Sequence, residues 1–529
     1  MIYLLSKTIY GLPNKVYGGI TNMIRIAKTE NGLVQGLPAA DPRITTFKGI
    51  PFAAPPVGKN RWRSPQPAQN WEGVRKAYEF APISMQSTPG LGTDIYCREW
   101  HVDPEIPMDE DCLYLNIWTG AKSAEERQPV LVWYFGGGLQ WGYPPEMEFD
   151  GERIARRGVI VVSVNYRLNC FGFLAHPEIT AEAPDAPANF GNLDQKAGLE
   201  WVIRNIEAFG GDPNNITIAG QSAGGGSVLS QMTCPDNFGK FQKAIVMSAM
   251  IRSPYGERGI GEPLPMEAAE KKGQEFFEFL GVKTLEEARA LDARYIRDKY
   301  DQYMWKNGMM MTVLDNQFCV GDPMKLYAQG RHAHVPVMSG NTADEFLNFI
   351  TAENEEELAA KAKELFGDRA DTFLGYPEAH VKYQNGFAPV SGIRCSVKSE
   401  FIMNNESDNP QNSYYYCFTP DIPGWDNPGT FHSVDLWFFF ETLAKCWRPF
   451  VGRHYDLARQ MCNYWTNFMK TGDPNGPDAD GTMMPVWEPY NAKTRAQMFF
   501  TAEGAKPVYD EESAFEKFLI ESATDRLRS

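Results

Sequence analysis

Positive charge is in short supply in this 529-residue chain: 51 lysines and arginines stand against 67 aspartates and glutamates, a formal net charge of −16. A nucleic-acid binder needs a basic face, so no nucleic-acid partner is expected. Long apolar runs are missing as well. No stretch of about 18 consecutive apolar residues occurs, so no membrane-spanning helix is expected. The opening Met1-Ile-Tyr-Leu-Leu-Ser-Lys7 is too short an apolar run for a secretory leader, and no basic segment precedes it. Residues 1–22 read as a loose N-terminal extension, and a cytoplasmic location is expected. Cysteine is odd in number, at nine, and forms no Cys-x-x-Cys pair, which fits free thiols in a reducing compartment. Cys97 and Cys112 are the one pair near enough in sequence to be a disulfide candidate. There is no His-Glu-x-x-His motif and no Gly-x-x-x-x-Gly-Lys loop, so neither a metal nor a phosphate-bearing cofactor is expected. Internal repeats, low-complexity segments and Gly/Ser linkers are also missing, and one compact catalytic domain over residues 23–529 is expected.

What is present alternates strands with helices. Residues 24–35 alternate around Asn31-Gly32, a hairpin signal. Residues 113–118, 130–135, 159–164, 216–219, 243–248 and 335–339 read as strands, and the β-branched run at 159–164 predicts a buried central one. Residues 192–209 have helical spacing and stop at Gly210-Gly211. This order predicts an α/β fold with a central, mostly parallel sheet and helices on both faces. Residues 253–331 and 352–412 are richer in helix signals and read as helical insertions over the sheet's C-terminal edge, where an active site would lie.

Gly220-Gln221-Ser222-Ala223-Gly224 carries the chemistry. A Gly-x-Ser-x-Gly pattern is weak alone. Here a strand enters it and a helix leaves from Ala223, which is the setting of a nucleophile elbow. Gly136-Gly137-Gly138 follows another strand, where backbone amides free of side chains can approach a substrate oxygen. A serine nucleophile needs a base, and seven histidines are available. His432, in the loop Gly429-Thr-Phe-His-Ser433 before an aromatic helix, is the one placed where such loops carry catalytic residues. The acid must then fall between Ser222 and His432. Asp344 and Glu345, just after the strand at 335–339, supply two adjacent carboxylates, and the residues alone do not choose between them.

Many further segments fall in order: Phe47-Lys-Gly-Ile-Pro-Phe-Ala53, Glu110-Asp-Cys-Leu-Tyr-Leu-Asn116, Asn165-Tyr-Arg167, Gly191-Asn-Leu-Asp-Gln195, Phe209-Gly-Gly-Asp-Pro213, Lys470-Thr-Gly-Asp-Pro474 and Trp487-Glu-Pro-Tyr490. With the elbow, they resemble the type-B carboxylesterase family of α/β-hydrolases, which includes cholinesterases, p-nitrobenzyl esterases and fungal lipases. The resemblance implies Ser222 as nucleophile, Glu345 as triad acid, His432 as base, and Gly137, Gly138 and Ala223 as oxyanion-hole amides. It implies a structural charge cluster of Glu110, Arg167 and Asp194, and hydrolysis of a small-molecule ester without a cofactor. A monomer or homodimer is expected. Departures from the family pattern are Gln221, Phe346, Ser433, Phe135 and Leu139, together with Ser84 where relatives often have a cysteine matched to Cys112. Leu139, Trp141, Met309, Phe346 and Trp437, near the motifs, are candidate pocket walls. They suggest aryl or short-to-medium apolar esters. A hydroxycinnamoyl esterase, a lipase and a catalytically silent binding module are the alternatives, though silent relatives lack triad members and this chain has all three.

Overall fold

The computed structural model describes residues 23–249, 262–345, 348–383 and 386–528. The proposed extension at 1–22 lies outside them, as does Phe346. A central sheet of eleven strands organises the rest. In chain order these are β1 (Leu37–Pro38), β2 (Thr45–Pro51), β3 (Tyr114–Thr119), β4 (Gln128–Tyr134), β5 (Ile160–Val164), β6 (Gly211–Gln221), β7 (Lys243–Met247), β8 (Val337–Thr342), β9 (Ser413–Phe418), β10 (Gln497–Thr501) and β11 (Gly504–Val508). Their spatial order is β11-β10-β9-β8-β7-β6-β4-β5-β3-β2-β1. Neighbours from β10 through to β5 run parallel, and the two edges are antiparallel.

Strand periodicity divides the core in two. Val130, Val132, Tyr134, Ile160, Val162 and Val164 face one cluster, while Leu131, Trp133, Phe135 and Val161 face the other. The first face is covered by α1 (Phe190–Asn205), through Leu199, Trp201 and Val202, and by α2 (Ala223–Thr233), through Val228, Leu229 and Met232. The second also holds helices α3 (Met266–Leu280) and α4 (Ala293–Asn307), whose Phe276, Phe277, Tyr300 and Tyr303 are buried. It is closed by α5 (Gly452–Thr471), which contributes Met461, Trp465 and Phe468. All five residues of β5 are buried, as the β-branched run predicts.

Three expectations need adjustment. The N-terminal hairpin forms, but Thr29 pairs with Gly32, so the two-residue loop is Glu30-Asn31 rather than Asn31-Gly32. Thr29 Oγ1 accepts from the amides of Asn31 and Gly32 and closes the turn itself. Cys97 and Cys112 are both free thiols; Ser84, near Cys112, instead donates its hydroxyl to Tyr166 O at 2.5 Å. The expected charge cluster divides into two pairs. Arg167 grips Asp194 through Nε and Nη2 at 2.8 and 2.7 Å, but Glu110 is held by Arg61, at 2.7 and 2.6 Å. Arg61, Glu110 and Arg167 line one cavity of about 10 Å³, so the pairs lie side by side, and a sequence motif does not reveal which cation takes which anion.

Candidate active site

The chain runs from β4 to β5 on one side of β4, then returns to place β6 on the other side. Connections leaving in opposite directions open a crevice beyond the carboxyl ends of the strands. Tyr134 at the end of β4 pairs with Gly220 near the end of β6, so the triple glycine and the elbow emerge side by side into this crevice.

The elbow is strained. Ser222 has φ 56° and ψ −126°, a region costly for a residue with a Cβ. Its amide donates to Met247 O at 2.8 Å, and Gly226 N donates to Ser222 O at 2.9 Å, so strand β7 and helix α2 hold the turn from both ends. The flanking glycines are required by space. A Cβ on Gly220 would lie 2.4 Å from the Gly224 carbonyl, and one on Gly224 would lie 2.1 Å from Tyr134 O. Those obstacles are backbone and cannot step aside. Gly224→Ala is therefore expected to destabilise the fold by about 3 kcal/mol or more, read as the urea midpoint or as lost soluble yield. A variant within about 1 kcal/mol of the native chain would show that the turn has slack the geometry denies.

The triple-glycine loop abuts the elbow: a Cβ on Gly136 would lie 3.3 Å from Ser222 Cβ. Gly137 and Gly138 take φ of 98° and 64°, which glycine adopts readily. At Gly137 a side chain would also meet Trp141 O at 2.2 Å. Among the described residues the amides of Gly137, Gly138 and Ala223 have no acceptor. Ala223 begins α2, whose N-terminus favours negative charge. Three donors beside one serine can bind an oxygen that is gaining charge.

β8 leads directly to the two candidate acids, and the structure separates them. Asp344 Oδ2 accepts from Thr430 N at 2.6 Å and fastens the loop before His432. Glu345 Oε2 lies 2.5 Å from His432 Nδ1, and its Oε1 accepts from the amide and hydroxyl of Thr342 at 3.1 and 3.0 Å. Both Glu345 and His432 side chains are almost fully buried. Burial pushes the Glu345 carboxyl up, but the charge and hydrogen bond of His432, with the Thr342 amide, outweigh it and hold the group below its ordinary value. The other ring nitrogen, Nε2, lies 3.3 Å from the Gln221 side-chain nitrogen. An amide N–H donates there, so Nε2 accepts and the ring proton sits on Nδ1 against Glu345. That tautomer turns the Nε2 lone pair toward the elbow, where the Gln221 side-chain amide meets it.

The other six histidines are engaged elsewhere: His101 with Glu146, His176 at a helix cap, His332 stacked between Tyr327 and His334, His380 with Glu355, and His454 at the start of α5. Asp435, three residues after His432, was not singled out by sequence, although that spacing places it one helical turn away. It is fully buried and accepts from Tyr416 OH at 2.9 Å. Burial, reinforced by the charge of Glu345 and opposed by Tyr416 and His432, pushes its carboxyl up to about 7.

The candidate walls separate in the same way. Leu139, at φ 59°, is buried in the loop beside Gly138, and the Trp141 ring would contact a Cβ on Gly138 at 3.8 Å. Met309 is half-buried with its carbonyl held by Lys272. Trp437 is wholly buried against Trp100 with its indole N–H toward Glu99. Among the described residues no group of three or more His, Cys, Asp or Glu side chains is placed to hold a metal, and no helix is long and apolar enough to cross a membrane.

Comparison with known proteins bears on the whole chain. The carboxylesterase family model matches residues 24–385 and 391–515. The para-nitrobenzyl esterase of Bacillus subtilis (strain 168) is 30% identical over 504 residues, 90% of this chain and 95% of the relative. The fumonisin B1 esterase of Sphingopyxis macrogoltabida is 31% identical, over 85% of this chain and 82% of the relative. Mouse cholinesterase is 29% identical, over 87% and 81%. Among solved structures, a PNB esterase superposes with a TM-score of 0.75 at 27% identity, covering 94% of this chain and 99% of that one. A Geobacillus stearothermophilus carboxylesterase gives 0.71 at 28% identity, over 94% and 99%. The sheet with its two helical layers is an α/β-hydrolase fold, and this carboxylic ester hydrolase belongs to the carboxylesterase family.

Proposed function

We propose that the chain hydrolyses aryl or short-to-medium apolar esters through Ser222, His432 and Glu345, within one catalytic domain over residues 23–529 whose helical insertions sit near residues 253–331 and 352–412. The observation that carries the triad is the ordered chain from Glu345 through His432 Nδ1 to an accepting Nε2 above the elbow. His432 takes the Ser222 proton as Oγ attacks the ester carbonyl. The amides of Gly137, Gly138 and Ala223 stabilise the tetrahedral oxyanion, each such donor contributing about 3 kcal/mol. His432 returns the proton to the departing alcohol. Water, activated in the same way, then releases the acid from the acyl-enzyme.

The preference for aryl groups rests on Trp141. Its ring lies beside Gly138 and stacks on Trp305 of α4, with centroids 6.4 Å apart and planes at 30°. Trp305 is 75% exposed, unusual for an indole that is not awaiting a partner. The test is a matched panel of p-nitrophenyl and ethyl esters of rising acyl length. Trp305→Ala is expected to raise KM about 3- to 10-fold for the aryl esters and to leave the ethyl esters unchanged. An equal effect on both series would remove the stack from substrate recognition.

A further inference from the structure

The oxyanion loop is closed in part by its own turn, where the amides of Gln140 and Trp141 donate to Gly137 O at 2.9 and 3.0 Å, and in part by its surroundings. Gly137, Gly138, Leu139 and Gly142 all have positive φ, at 98°, 64°, 59° and 102°. Backbone in that region is easily rearranged unless its surroundings fix it. One side of the loop is tied by Asn169, whose amide donates to Leu139 O at 2.8 Å. The other side is tied by Gln140, which is 1% exposed.

The Gln140 side chain is fully engaged. Nε2 donates to Gly138 O at 3.2 Å and to Met310 O at 2.9 Å. Oε1 accepts from Tyr300 OH at 2.8 Å, and that hydroxyl in turn accepts from Met310 N at 2.7 Å. Gln140, Tyr300 and Met310 thus close a ring of buried hydrogen bonds. Tyr300 sits mid-helix in α4, edge-on to Phe276 of α3 at 5.7 Å, so the ring is braced by helix packing. A second tie runs parallel: Trp141 Nε1 donates to Ser87 Oγ at 3.2 Å, and Ser87 donates to Asp301 Oδ1 at 2.8 Å, the residue after Tyr300.

We infer that Gln140 and Tyr300 are positioning residues of the oxyanion hole, through which helix α4 and the Met310 segment fix the Gly138–Leu139 peptide that immediately follows the Gly138 N–H. The inference rests on the reading of Gly137 and Gly138 as oxyanion donors. Holding the Gly138 carbonyl fixes the ψ of a residue with no side chain to restrain it. Neither residue touches the reacting atoms. Their loss leaves ground-state binding intact and weakens what the loop does only when charge develops on the oxygen.

The experiment compares native enzyme, Tyr300→Phe, Gln140→Leu and Ser222→Ala on p-nitrophenyl acetate, with melting temperatures and inhibition by an aryl trifluoromethyl ketone. Such a ketone adds the serine to give an oxyanion that occupies the hole. Tyr300→Phe removes one hydroxyl, keeps the ring packing and is expected to stay folded. Its kcat should fall about 10-fold with KM within about twofold, and the ketone Ki should rise by the same factor. Gln140→Leu should go further, to about 100-fold. A purely structural role would lower the melting temperature without a matched rise in Ki, and that result overturns the inference. If kcat and Ki of Tyr300→Phe stay within about twofold of native while Ser222→Ala is inactive, this inference fails and the triad stands. If the native enzyme neither turns over the ester nor binds the ketone, the reading of the site fails and takes this inference with it.

Discussion

Ser222→Ala is expected to lower kcat on p-nitrophenyl esters about 10⁶-fold while leaving KM and the melting temperature close to native. In the proposed mechanism the loss is large because the histidine and the oxyanion amides act through the attacking hydroxyl and have no nucleophile without it. Some catalysis over water persists, since the amides of Gly137, Gly138 and Ala223 still polarise a bound carbonyl. Stability is unchanged because alanine keeps the Cβ that strains the turn at φ 56° and ψ −126°. Ser222→Gly provides the contrast: equally inactive, it should be more stable by about 1 kcal/mol, because glycine occupies that region readily. The strain would then be a stability cost retained for chemistry. Urea unfolding of the two variants beside native enzyme reads both effects. An alanine variant as active as the native chain would exclude Ser222 as nucleophile.

Much of this arrangement was legible in the sequence, for identifiable reasons. β5 is a run of β-branched residues buried on both faces, and few other structures suit such a run. The elbow is legible because its glycines answer a local steric demand: Gly220 and Gly224 lie against each other and against Tyr134 O. What could not be read depends on partners distant in sequence. Asp344 and Glu345 are adjacent and chemically alike, and the residues by themselves did not choose between them. They differ in what the loop at 429–432 brings to them, Thr430 N to Asp344 and His432 Nδ1 to Glu345. Glu110 sits in one of the segments that carry the family resemblance, yet it pairs with Arg61 rather than Arg167. Trp437 lies five residues from His432, but closeness along a chain does not say which face a helical turn presents, and its indole turns into the core. Gln140 gave no signal, because one glutamine beside a glycine run acquires meaning only when Tyr300, 160 positions on, arrives opposite it.

Glu345→Gln should lower kcat about 10⁴-fold, more than the removal of one charge would suggest. The reason lies in Thr342. Its backbone N–H must donate, and it meets Glu345 Oε1 at 3.1 Å with the Thr342 hydroxyl at 3.0 Å. In a glutamine the carbonyl oxygen is drawn to those donors, which turns the NH₂ toward His432 Nδ1. An amide N–H facing Nδ1 forces the ring proton onto Nε2, the nitrogen now 3.3 Å from the Gln221 amide. The imidazole then presents a proton to the elbow where a lone pair is needed. Glu345→Asp keeps the charge but withdraws it by one methylene, and a loss of about 100-fold is expected from misplacement alone. The pH dependence of stability separates the neighbouring groups. Glu345 is held below its ordinary value, so its contribution is present above that value and is lost as pH falls through the folded one. Asp435 is raised, so its contribution is present at low pH and is lost as pH rises from its ordinary 3.8 to about 7. Removing the Glu345 charge takes away one of the causes that raise Asp435, and burial, the largest, remains. Above the ordinary Glu345 value of 4.5, where Glu345 no longer titrates, stability of Glu345→Gln should therefore decline less steeply than native. If the glutamine variant kept more than about a tenth of native kcat, the carboxylate would not be fixing the tautomer. The buried Asp435, near neutrality only partly protonated, would then be the next carboxylate to replace.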